Sequence, residues 1–195
     1  MSVERMVVLA AAAGLSLAAV MPAQAQQSLG GNAVPGVCMM SRQEVIGTSK
    51  VGQAADARLK QLAENARQQL DKDREPLRKD IQAFQSKAGS MSEAERKKQG
   101  QALQERMQHF QQKAHDLGER VQLTRGKVMQ RIGNDAEPVV QQVYKQHHCG
   151  LLLDRDSVLG GNMSHDITDD VVKGLNAKTK TISFNLEPLP KNNGK

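Results

Sequence analysis

From Val51 to Val143 the apolar residues recur in steps of three and four, the spacing that gathers side chains on one face of a helix. Ala55, Leu59, Leu62, Ala66, Leu70, Leu77, Ile81, Phe84 and Ala88 mark one face, with charged and amide residues filling the rest. Leu103, Met107, Phe110, Ala114, Leu117, Val121, Thr124 and Val128 mark a second, at the heptad spacing of a coiled-coil seam, and Ile132, Ala136, Val139 and Val143 continue it. Between the two, Gly89 suits the left-handed residue after a helix end, and Ser92 with Glu95 has the spacing of a capping box. The chain is therefore expected to reverse at Gly89-Ser90-Met91. Reversal about position 90 would oppose Leu77 with Leu103, Leu70 with Phe110, Ala66 with Ala114 and Leu59 with Val121, large against large and small against small. Pro76 is expected to kink the first arm, whose seam also fails around Asp73. Gly133 and Pro138 are expected to interrupt the returning helix, with Asn134 or Asp135 capping a fresh start.

The flanks read as a small body. Val37-Cys38-Met39-Met40 fits one short buried strand, a short helical segment follows, and Gly47 and Gly52 read as turn residues. Cys149 to Leu153 fits a second buried strand and Val158-Leu159 a third. Asp166 caps a last helix that carries Ile167, Val171 and Leu175 on one face. Beyond it, the alternating Thr181-Ile182-Ser183-Phe184-Asn185-Leu186 and the following Pro188 and Pro190 read as an extended tail with no assigned strand. The fold class is α+β, mostly α: a long antiparallel coiled-coil hairpin on a small β-sheet body with a C-terminal helix. Its segments are a signal at 1–25, a disordered leader at 26–35, body at 36–50, arm at 51–143, body again at 144–177 and tail at 178–195.

Composition changes the picture in two ways. With no Trp, one Tyr and three Phe in 195 residues, a thick globular core is improbable and an elongated fold suits the scarcity. The net charge of +6 and pI near 9.4 imply attraction to acidic surfaces. Nucleic acid is not the expected partner, because the few aromatics sit in apolar register rather than on a basic stacking face. Residues Met1 to Ala25 read as a secretory signal: Arg5, an apolar run from Met6 to Val20, then Pro22-Ala23-Gln24-Ala25 with cleavage expected after Ala25. In a bacterial setting that places the mature chain in the periplasm.

Export bears on the chemistry. Cys38 and Cys149 are the only cysteines, and an even count in an oxidising compartment favours a disulfide over two buried free thiols. The five histidines form no trusted metal-ligand spacing, and no phosphate-cradling loop or catalytic Ser, His and acid set is present. No enzyme activity, metal or cofactor is expected. Met91 at the tip offers adaptable apolar surface, and Arg58, Lys60, Arg67, Lys97, Lys98, Arg106 and Lys113 make the arms basic.

This organisation resembles the Skp/OmpH family of periplasmic chaperones for outer-membrane proteins. The resemblance rests on the strand leading into Ser41-Arg42-Gln43-Glu44-Val45-Ile46 and Ser49-x-x-Gly52, on the hairpin, and on Leu151-Leu152-Leu153-Asp154 with Val158-Leu159. Its most specific part is Asp166-Ile167-Thr168-Asp169-x-Val171-Val172-x-x-Leu175-Asn176. It implies a homotrimer, with Val37, Met39, Leu151 and Leu153 in the central body. It also implies an ATP-independent holdase whose arms enclose unfolded outer-membrane proteins through Met91 and the basic residues named above. A structural periplasmic adaptor that docks on other coiled coils is the alternative from another class. Binding of anionic lipid or lipopolysaccharide is a third reading that the charge allows.

Overall fold

The computed structural model describes residues 30–190, so the signal expected at 1–25, with its cleavage after Ala25, lies outside the described residues. Strand β1 (Val37–Met40) leads through Ser41 into helix α1 (Arg42–Thr48) and then helix α2 (Lys50–Lys87). A 3-10 turn at Ala88–Ser90 reverses the chain into helix α3 (Glu93–Gln146). Strand β2 (Leu151–Asp154), two short 3-10 turns and helix α4 (Thr168–Lys178) complete the order. The hairpin, small sheet and last helix match the fold class expected from the periodicity.

The core lies where the arm roots meet the body. Val51 and Ala55 of α2 and Val128, Ile132, Ala136, Val139 and Val143 of α3 pack with Cys38, Met40 and Val45, and with Ile167, Val171 and Leu175 of α4. Burying each Val, Leu, Ile or Met side chain among these contributes about 1.5–3 kcal/mol, so this cluster anchors both long helices at one end. It also explains why α3 runs through Gly133 and Pro138 as one helix, where an interruption was expected. Ile132, Ala136, Val139 and Val143 flank the proline and are all buried, which offsets the roughly 3 kcal/mol that an interior proline costs. Helix α2 likewise continues through Pro76.

β1 and β2 pair in parallel, with Val37 opposite Leu151 and Met39 opposite Leu153. The second strand is not fully buried as expected: Leu152 packs on the core, whereas Leu151 and Leu153 are 51% and 37% exposed. No third strand forms at Val158–Leu159, and Leu159 lies in open solvent. The other edge of β1 is taken by the residues just ahead of α4, where Met39 bridges to Asp166 and the Ile167 amide donates to the Met39 carbonyl at 2.9 Å. Cys38 and Cys149 are joined by a disulfide across the body, with Cα atoms 5.7 Å apart.

Two local devices fix the body. Gly52, read from sequence as a turn residue, sits buried inside α2, and a Cβ there would fall 1.6 Å from the Ile46 carbonyl oxygen. Only a glycine lets the end of α1 lie against the start of α2. Ser49 caps that start by accepting from the Gly52 amide at 3.2 Å, and Asn176 of α4 accepts from the Lys50 amide at 2.7 Å. The second device is Arg155, whose guanidinium bridges Glu44 of α1 and Asp166 ahead of α4. Burial pushes the Asp166 carboxyl upward, but hydrogen bonds from Thr168 Oγ1, the Thr168 amide and Arg155 outweigh it and hold the group below the usual carboxylate range. Asp166 thus serves α4 from one residue before the helix's N-cap, Ile167.

The hairpin differs from the expected one in its turn and its register. Gly89 is not in the left-handed region; the 3-10 turn, an extended Met91 and the Ser92–Glu95 capping box achieve the reversal. Across the arms, Asp73 meets Lys113 at 2.6 Å and Asp80 meets Arg106 at 2.7 Å, each six residues beyond the partner that symmetry about position 90 would give. Helical side chains lean toward their own N-terminus. In an antiparallel pair, each arm therefore reaches residues further along the other than a Cα count suggests.

Gly52→Ala should lower stability by roughly 2–4 kcal/mol, read as the midpoint of urea unfolding, because backbone must move to admit the methyl group. The Asp166 carboxyl, depressed in the folded state, adds stability above its unfolded value of about 4 and loses it as pH falls through the lower folded value. Asp166→Asn should therefore cost about 1–3 kcal/mol near neutrality and flatten the loss of thermal stability below about pH 4.

Candidate functional site

The arm divides into halves of different character. Near the root, Leu59, Leu62 and Ala66 of α2 and Leu117, Thr124 and Val128 of α3 are buried. Between Leu70 and Phe110, Leu77 is the only buried residue, and Ile81, Phe84, Leu103 and Phe110 are half-covered. Met107, expected on the seam, is exposed. Ion pairs between the arms take over where the seam is thin: the Asp73 position that interrupts the apolar pattern is the one that holds Lys113. Exposed pairs of this kind contribute only about 0–1 kcal/mol each, so the outer half has far less holding it than the root.

The basic residues singled out from the sequence fall into four environments. Arg106 and Lys113 face across the hairpin and, with Leu77 and Phe110, line a shallow hollow on the outer half. Arg106 also borders a second hollow nearer the tip, formed by Phe84, Lys87, Met91 and Leu103, so Met91 and Arg106 are brought together. At the tip, Lys97 and Lys98 are exposed and make no ion pair among the described residues; Arg67, nearer the root, is the same. Lys60 pairs with Asp56 at 2.8 Å and borders a root hollow with Arg125 and Met129. Arg58 is turned away from all of these and binds the tail.

That tail contact escaped the sequence reading, which left residues 178–195 without a role. After α4 the chain runs extended along the arm. Arg58 Nε donates to the Phe184 carbonyl at 3.2 Å, and its Nη2 to Asn185 Oδ1 at 3.0 Å. Arg120 Nε donates to the Glu187 carbonyl at 2.9 Å and its Nη2 to the Leu186 carbonyl at 3.2 Å. Arg131 Nη1 reaches the Ser183 carbonyl at 3.4 Å, Lys127 pairs with the Glu187 carboxylate at 2.8 Å, and the Glu187 amide donates to Thr124 Oγ1 at 2.8 Å. The period-two alternation at 181–186 was the available signal, since it marks a segment with one covered face, but it does not say what covers that face.

Of the proposed body residues, Met39 is buried within the single chain and Val37 half-buried, while Leu151 and Leu153 leave the sheet as an exposed apolar pair. His147 Nε2 sits 2.9 Å from Asp170 Oδ2 on the surface. Among the described residues no three His, Cys, Asp or Glu side chains converge on a point that could hold a metal ion, and no helix is long and apolar enough to cross a membrane. The arrangement offers shallow apolar hollows bordered by cations, suited to many weak contacts with a mobile chain rather than to one enclosed ligand.

Residues 36–175 match the family model of the outer membrane protein (OmpH-like). The crystal structure of an OmpH-like outer membrane chaperone candidate from Caulobacter crescentus CB15 is similar over 84% of this chain and 96% of that one, at 34% identity and a TM-score of 0.76. Curated proteins give no match to the chain. The matched span takes in β1, the whole hairpin, β2 and α4 through Leu175, and it stops short of the tail. By sequence model and by fold together, this chain belongs to the OmpH-like (Skp/OmpH) family.

Proposed function

We propose that this protein is a periplasmic, ATP-independent holdase that keeps unfolded outer-membrane proteins from aggregating by enclosing them between its arms. The observation that carries the reading is the outer half of the hairpin, where half-covered apolar side chains lie beside cations without buried partners, on a fold shared with an outer membrane chaperone candidate. At about 1.5 Å per residue, the 38 residues of α2 extend on the order of 57 Å, long enough to flank a collapsed chain. An unfolded membrane strand alternates apolar and polar residues, so it offers groups to both the hollows and the cations.

Self-association into a trimer follows from the same reading. Leu151 and Leu153 project from a sheet that has two strands among the described residues, and another copy would cover them and extend the sheet. Val37 and Met39 on the partner strand complete that body, and the Cys38–Cys149 disulfide staples it to the root of the arm. The role is one of binding, with no catalytic step assigned. Met91, Arg67, Lys97, Lys98, Arg106 and Lys113 are the residues proposed to meet the client; Lys60 adds to them at the root.

The test is light scattering when several unrelated barrel proteins are diluted from denaturant in the presence of equimolar trimer. Scattering should be suppressed for each of them without nucleotide, and Lys97→Glu with Lys98→Glu should weaken suppression several-fold while leaving the circular dichroism unchanged. An adaptor would leave all the barrel proteins to aggregate. Anionic-lipid binding as the main role would show instead as vesicle binding that collapses between about 50 mM and 500 mM salt, where the Debye length shortens severalfold.

A further inference from the structure

The way the tail is held is unusual for a surface segment, because it is read mainly through its backbone. Arg58, Arg120 and Arg131 donate to four main-chain carbonyls, those of Ser183, Phe184, Leu186 and Glu187, and Thr124 accepts from a main-chain amide. Those contacts carry little information about side-chain identity. What the groove does select is alternation: Ile182, Phe184 and Leu186 are half-covered, whereas Thr181, Ser183 and Asn185 are exposed. Ile182 and Phe184 pack at the edge of the body core, and Leu189 and Pro190 continue along α3 beside Ala114, Gly118 and Leu123. Main-chain bonds for affinity and alternate pockets for register are how proteins bind extended strands of varied sequence. The family-model match ends at Leu175, before this segment begins.

We propose that the strip of arm surface from Arg58 and Arg131 to Ala114 is a docking groove for extended peptides with alternating apolar and polar residues, occupied in the free protein by its own tail. Its external occupant is a β-strand segment of an unfolded membrane barrel, which has the same period of two; this part rests on the holdase reading above. The tail is a tethered stand-in for the client. It covers the groove until a client segment displaces it, and an occupant bound nine-tenths of the time lowers a competitor's apparent affinity about tenfold.

The experiment compares the full chain with a chain ending at Lys178, using a fluorescent peptide of residues 179–190 as the probe. The shortened chain should bind the peptide at least about tenfold more tightly than the full chain does, and an unfolded barrel protein should displace it. A peptide of the same composition with the alternation scrambled should bind several-fold more weakly. Affinity for the unfolded barrel should rise about tenfold in the shortened chain. Glu187→Lys, which reverses the pair with Lys127 at the surface, should raise it in the same direction; it carries the comparison if the shortened chain does not fold. The proposal is overturned if the peptide fails to bind a folded shortened chain, if peptide and barrel bind together without competition, or if freeing the tail leaves barrel affinity unchanged. Capture of the peptide with no barrel binding by any form would sink the holdase reading and the client part of this one, leaving a groove for other extended peptides.

Discussion

The structure depends on one packing event: the roots of two long helices close on a short terminal helix. Val51 and Ala55 on one side and Val128, Ile132 and Val139 on the other enclose Ile167, Val171 and Leu175, which are almost entirely removed from solvent. The contact is close enough that a Cβ at Gly174 would fall 2.5 Å from Val139 Cγ1. Everything beyond that clamp is projected from it. A chain with so few aromatic residues cannot pack a second core along the arm, so apolar contact thins outward and charge pairs such as Asp73–Lys113 replace it. The gradient from a fixed root to a loosely held tip follows from the distribution of large apolar side chains.

The polar framework of the body serves the same end. Ser41 links the strand to the last helix, its amide donating to Thr168 Oγ1 at 3.0 Å and its hydroxyl to Asp156 at 3.0 Å. Arg155 joins α1 to the entry of α4 through Glu44 and Asp166, and each of these carboxylates keeps the guanidinium firmly protonated. All of these bonds but the Arg155–Asp166 pair connect residues more than 100 positions apart in the sequence. They orient the body with respect to the arm without demanding a thick core. The disulfide between Cys38 and Cys149 closes the same long loop covalently, which in the chain-entropy model contributes up to about 5 kcal/mol.

Much of this was legible in the sequence because helix periodicity and capping are local. The steps of three and four placed both arms, and Ser92 with Glu95 marked the start of α3 down to its capping box. The errors came where non-local contacts decide. Gly133 and Pro138 carry the local signals of a break, but the burial of Ile132 and Val139 on either side holds the helix through them. Gly52 looked like a turn because nothing in the sequence announces that the Ile46 carbonyl lies against it. Val158–Leu159 had the composition of a strand, but the β1 edge is paired instead by Asp166 and Ile167, just ahead of α4. In the candidate site, the basic residues were visible as a set, yet which of them are paired, free or engaged by the tail was not. Arg120, Lys127 and Arg131 were missed because their partners lie 52 to 67 residues away along the chain.

A firmly rooted arm that loosens toward its tip is the physical property from which the binding function is argued. Amide hydrogen exchange along the hairpin measures it directly. The account predicts strong protection across residues 117–143, with exchange at least about a hundredfold faster across residues 71–110, as expected if local opening there costs several kcal/mol less. Uniform protection from root to tip would contradict it, because the arm would then be a rigid rod unable to adapt to clients of different shape.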